Sequence, residues 1–182
     1  MAADRTEADR SEADRIDVDR CDECGFAYDL AQATSAGQGI ADGVAELTSL
    51  LLEPEADVTT RRRPDLWSPL EYACHVRDVL LVQRERVLAA RRTDVPTFAP
   101  MGRDERVELD GYASQVPTAV ARQATDAALL FGNVLSRLRP PDWERTGIYN
   151  WPAPAERTLR WVAVHTLHEV RHHLLDVRRQ LA

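Results

Sequence analysis

The segment Trp67-Ser68-Pro69-Leu70-Glu71-Tyr72-Ala73-Cys74-His75-Val76-Arg77-Asp78 carries the clearest helix start in the chain. Ser68 is a capping residue, and Pro69 takes the first helical position, where its missing N–H costs nothing. Glu71 stands three residues after the cap and closes a capping box. Helical pattern then runs to about Arg92. His75 lies one turn beyond Glu71 and one turn before Asp78, so either carboxylate is a candidate to orient its ring.

Outward from this helix, the chain reads as three more. Upstream, Ile40, Val44, Leu47 and Leu51 recur at helical spacing between about Asp29 and Leu52, although Gly37, Gly39 and Gly43 weaken the first half. Downstream, residues 93–111 hold Pro96, Pro100 and Gly102 and read as a long connection, a feature more often functional than neutral in a small domain. A third helix is expected from about Thr118 to Leu138, then an irregular stretch, 139–156, with Trp143, Trp151 and four prolines, and a last helix from about Thr158 to Leu181. Four helices of about 20 residues, with no alternating run long enough for a strand, predict an all-α four-helix bundle over residues 21–182. Residues 1–20 repeat a charged unit, as in Thr6-Glu7-Ala8-Asp9-Arg10 and Ser11-Glu12-Ala13-Asp14-Arg15. With so little to bury they are expected to form a disordered, solvated tail.

Composition narrows the function. At 182 residues one domain is expected, and the net charge of −7 supplies no positive field to hold a phosphate backbone, which excludes nucleic acid as a partner. No apolar run approaches the roughly 20 residues that span a bilayer, and the N-terminus lacks a signal-peptide pattern, so no membrane partner is expected and the cytoplasm is the default location. Three cysteines make no disulfide framework.

All five histidines lie on the second and fourth helices, four of them within Val164-His165-Thr166-Leu167-His168-Glu169-Val170-Arg171-His172-His173. His168 and His172 are four residues apart and stack on one face, where both can reach one ion about 2 Å from each nitrogen. A third ligand must come from another helix, and His75 is the histidine available there. The chain contains no lysine, and its arginines already supply positive charge, so helix-end charge compensation is a poor reason for choosing histidine. His165 shares the face of His168 and His172 as a spare ligand or an orienting group. His173 is rotated about 100° from His172 and is assigned to packing or solvent. The match of His168-Glu169-Val170-Arg171-His172 to the HExxH peptidase pattern is set aside, because those enzymes need a third ligand further on and only ten residues follow. A site of His75, His168 and His172 suits a divalent metal, zinc first and nickel, iron or manganese after it. Cys21-x-x-Cys24 is half of a zinc site, a redox pair, or two small buried residues at the end of the bundle. Cys74 points about 100° from His75 and is expected to pack in the core.

The spacing Trp67-Ser68-x-x-Glu71-x-x-x-His75-x-x-Asp78, followed by His168-x-x-x-His172, resembles the DinB/YfiT-like superfamily of metal-binding four-helix bundles, over about residues 28–182. The resemblance implies a metal-dependent enzyme that activates a low-molecular-weight thiol, mycothiol or bacillithiol, for S-transfer to an electrophilic small molecule. Its partners would be that thiol and that electrophile. The arginine- and alanine-rich, lysine-free composition looks actinobacterial, which points to mycothiol. The alternative is a non-catalytic metal- or small-molecule-binding module. Bundles of this kind also pair through an outer helix face, so a homodimer is compatible with the sequence.

Overall fold

The capping box at Ser68 forms as read. The Ser68 hydroxyl accepts the Glu71 amide at 3.3 Å, and Glu71 Oε2 accepts the Ser68 amide at 2.8 Å. The computed structural model describes residues 20–150 and 153–182, so all of the expected tail except Arg20 lies outside the described residues. Arg20 itself pairs with Ala27 across the turn that carries the first two cysteines.

Four long helices make the bundle: α1 (Ala36–Leu51), α2 (Pro69–Arg92), α4 (Pro117–Leu135) and α6 (Leu159–Leu181), with short α3 (Arg103–Leu109) and α5 (Pro140–Trp143) between them. A 3-10 turn, Leu30–Ser35, leads into α1. Both α1 and α2 pack against α4 and α6, while α1 and α2 touch each other little. Consecutive helices α1 and α2 therefore sit on a diagonal, and α6 lies beside both. Ile40, Val44 and Leu47 of α1, Leu80 of α2, Phe131 of α4 and Val170 of α6 fill the space between them with almost no exposure. Each such side chain contributes roughly 1.5–3 kcal/mol on leaving water.

The glycines that weaken α1 as an isolated helix have a packing reason. A Cβ on Gly43 would stand 2.7 Å from Cγ1 of Val170, and one on Gly39 would stand 3.0 Å from Leu167. Two hydrogens spaced four residues apart let α6 approach the α1 backbone closely.

Two connections are more ordered than expected. Residues 146–158 contain an antiparallel hairpin, β1 (Thr146–Tyr149) with β2 (Ala155–Thr158), where no strand was expected. Four-residue strands are too short to show alternation, and Gly147 breaks the apolar pattern because Phe98 packs where its Cβ would be. The long connection after α2 contains α3 and joins the hairpin through Phe98 N to Ile148 O at 2.9 Å. Among the described residues no helix is long and apolar enough to cross a membrane.

Candidate metal centre

The face of α6 that meets α2 carries Glu169 and His173, one turn apart. His75 of α2 opposes them, only 2 % exposed, and both of its ring nitrogens are buried without a hydrogen-bond partner among the described residues. An unpartnered buried imidazole costs about 1–3 kcal/mol unless something else satisfies it. What faces it is a carboxylate at a distance too long for a hydrogen bond. Nε2 of His75 stands 3.9 Å from Oε2 of Glu169, and Nε2 of His173 stands 3.7 Å from the same oxygen. Donor atoms of His75, Glu169 and His173 lie within 4.8 Å of one another. One ion with bonds of about 2 Å spans such gaps, so these residues fit a divalent metal.

Their surroundings prepare them for it. Asp176 Oδ2 lies 3.0 Å from Nδ1 of His173, which leaves Nε2 of that ring for the ion. Burial pushes the His75 pKa down, so the ring is neutral and ready to donate a lone pair. His173 goes the other way. Burial opposes its charge, but Asp176 and Glu169 overcome that and raise it to about 9. Glu169 is held well below the usual carboxylate range despite its burial, because its other oxygen also faces Nε2 of His165 at 3.8 Å and Nδ1 of His168 at 3.5 Å. One carboxylate thus balances four imidazoles. Trp67 and Tyr72 wall the site, their ring centroids 5.3 Å from His75 and 5.5 Å from His173. The guanidinium of Arg103, at the start of α3, lies over Trp67, so the long connection does border the site.

The three histidines expected to converge are divided. His168 and His172 do share a group, but with Cys21 and Cys24 of the N-terminal turn, while His75 belongs with Glu169 and His173. The reason is helix phase. Residues 169 and 173 are rotated about 100° from 168 and 172, and that rotated pair is the one turned toward α2. His173, assigned to packing or solvent, is a buried member of the site. A signal for it was present: Val170 and Val177, both fully buried, flank His173 at three and four residues, so it continues the inward stripe of α6. Neither expected orienting carboxylate reaches His75. Glu71 is taken by its cap and by Arg61 at 2.5 and 2.7 Å, and Asp78 by Arg77 at 2.7 Å, Tyr112 at 2.6 Å and Arg106 at 3.2 Å. Cys74 packs in the core as expected.

The second group sits at the edge of the first. Cys21 Sγ is 3.7 Å from Nδ1 of His172. Burial pushes the Cys21 thiol up, but the amide of Cys24, the His168 ring and the amide of Glu23 outweigh it and bring the pKa down to about 6. The Tyr28 hydroxyl bridges His168 of this group and the neighbouring His165, 2.9 Å from Nδ1 of His165 and 2.8 Å from Nδ1 of His168.

A helical bundle whose inner face gathers histidines around one half-buried carboxylate defines a class, that of four-helix proteins with a candidate metal centre. The chain belongs to the DinB superfamily, whose profile matches residues 41–177. Its fold is similar to that of YfiT from Bacillus subtilis, with a TM-score of 0.72 at 15 % identity over 82 % of this chain and 86 % of that one. YfiT is described as a probable metal-dependent hydrolase with an unusual four-helix bundle topology. No curated protein matches the chain significantly.

Proposed function

We propose that the chain is a metal-dependent enzyme that activates a low-molecular-weight thiol, such as mycothiol, for transfer to an electrophilic small molecule. The observation that carries this reading is the buried His75 ring, without a hydrogen-bond partner at either nitrogen among the described residues and facing the Glu169–His173 pair. His75, Glu169 and His173 would hold a divalent ion, zinc foremost, which would supply Lewis acidity that brings a thiol's pKa toward neutral pH. With three protein donors, such a site would have room for that sulfur. Glu169 would offset part of the ion's charge, Asp176 holds Nδ1 of His173 and so fixes its tautomer, and Trp67 and Tyr72 flank the two histidines with aromatic rings. The thiol proton passes to solvent, a carbon–sulfur bond forms, and the displaced electron pair leaves with the departing group of the electrophile. Thiol substrates and unpaired cysteines both suit the cytoplasm.

Hydrolysis is the second reading, favoured by the two-histidine, one-carboxylate donor set that also serves water activation and by the description of YfiT. Thiol transfer is preferred because hydrolysis of esters and amides at such a donor set commonly relies on a separate carboxylate base beside the metal-bound water. Among the described residues, the carboxylates nearest the centre are Glu169, a donor to the ion, and Asp176, engaged with His173.

The test compares metal-stripped, reloaded and His75→Ala protein against two panels. One pairs mycothiol, bacillithiol and cysteine with alkyl halide and epoxide electrophiles, and the other offers esters and amides without thiol. Metal-dependent thioether formation supports the proposal. Thiol-independent hydrolysis favours the second reading, and inactivity in both panels leaves a non-catalytic binding module.

A further inference from the structure

We propose that Cys21, Cys24, His168 and His172 form a second, closed zinc site that clamps the N-terminal turn onto α6. One donor atom from each lies within 4.8 Å of the other three. In a tetrahedral site with Zn–S of about 2.3 Å and Zn–N of about 2.0 Å, neighbouring sulfur and nitrogen donors stand about 3.6 Å apart. The 3.7 Å between Cys21 Sγ and His172 Nδ1 has that length already.

Each imidazole keeps one nitrogen for the ion and has the other held by a polar neighbour. His168 presents its Nδ1 to the Tyr28 hydroxyl, and its Nε2 is buried with no hydrogen-bond partner among the described residues. His172 directs Nδ1 at Cys21 and turns Nε2 outward to Glu23 and Asp176, at 3.5 and 3.7 Å. That division of labour is how proteins fix the tautomer of a metal-binding histidine. The thiol side is equally prearranged. Cys21 N donates to Phe26 O and Gly25 N donates to Cys21 O, both at 2.8 Å, and Gly25 takes a positive φ of 71° that a side chain would resist. This tight turn presents both sulfurs on one side, against α6.

A redox pair would need only the two cysteines. Here two histidines 147 and 148 residues beyond Cys21 and Cys24, respectively, complete a donor set of the structural type, with Cys2His2 composition and no open position. The ion would anchor residues 20–28, and with them Phe26 and Tyr28, whose rings lie 5.3 and 5.2 Å from that of His168. The inference goes beyond the proposed activity and does not depend on it, because the two sites share no donor residue.

Metal analysis of the full chain, purified under reducing, air-free conditions with zinc supplied, tests the proposal. Two zinc ions per chain are expected, falling to one in Cys21→Ser/Cys24→Ser and to one in His75→Ala. Cobalt loading separates the sites without relying on the cysteine variant to fold. Intact protein and His75→Ala should both show a sulfur-to-cobalt charge-transfer band, and zinc should protect Cys21 and Cys24 from alkylation. Loss of the band in His75→Ala with cobalt still bound, a cobalt spectrum without sulfur character in the intact protein, or a Cys21–Cys24 disulfide in the freshly isolated chain would overturn it. If thiol transfer fails while two zinc ions remain, only the proposed activity is lost.

Discussion

Nε2 of His75 and Oε2 of Glu169 face each other at 3.9 Å across the contact between α2 and α6, the first with no hydrogen-bond partner among the described residues and the second surrounded by imidazoles. Replacing either should remove one equivalent of metal. His75→Ala and Glu169→Gln are expected to retain the fold and to lose any metal-dependent turnover, read by metal analysis beside circular dichroism. Asp176→Asn leaves the donors in place but loosens His173, and should weaken metal affinity by about 10- to 100-fold. Activity should recover in part at saturating metal. An unchanged affinity would remove Asp176 from the site.

Asp78 belongs to a different network, and its role shows in the acid limb of stability. Burial raises its pKa, but Arg77, Tyr112 and Arg106 outweigh burial and hold it below its ordinary value of 3.8. A carboxylate depressed on folding contributes stability that is complete above its unfolded pKa and is lost as pH falls through the folded value. Asp78→Asn should therefore cost about 3–5 kcal/mol at neutral pH, the usual result of breaking one side of a buried ion pair. Thermal midpoints measured against pH should show the gap between the two proteins closing below about pH 3.8. A gap that persists at low pH would mean that packing rather than charge makes the difference.

Gly43→Ala pits helix propensity against space. Alanine favours an isolated helix by about 1 kcal/mol, while overpacking a tight core contact costs about 1–3 kcal/mol. The obstacle is Cγ1 of Val170, a buried branched side chain with little rotamer freedom, so the clash wins and the protein is destabilised. Val170 adjoins Glu169, and metal affinity should fall with stability. Denaturant unfolding and metal titration of the same variant check both; a stabilised protein would mean that α6 shifts freely.

Much of this was legible in the sequence because it is local. The capping box at Ser68 and Glu71 set the start of α2, and helical periodicity with prolines bounded α2, α4 and α6 to within a few residues, whereas α1 begins at Ala36, later than the expected Asp29, because a 3-10 turn takes up Leu30–Ser35. The histidine cluster marked α6 as the element that carries the site. Helix rotation was harder to read. His168 with His172 and Glu169 with His173 are equally good four-residue ladders, and only the packing of α6 against α2 decides which one meets His75. Treating Val170 and Val177 as the inward stripe would have chosen the second. The pairing of Cys21 with His172 spans 151 residues and leaves no periodic trace, so it depends on the folded chain. The hairpin at Thr146 escaped for the opposite reason, since four residues are too few for alternation to show.

The most direct test of thiol activation uses Cys21→Ser/Cys24→Ser protein, in which the second site contributes no sulfur, loaded with cobalt and titrated with mycothiol. Histidine and carboxylate donors alone give no sulfur-to-metal charge-transfer band. A band that grows to one equivalent of thiol, and is missing in the same protein carrying His75→Ala, is the expected result. A spectrum that stays unaltered across the titration while cobalt remains bound would contradict thiol activation at His75, Glu169 and His173.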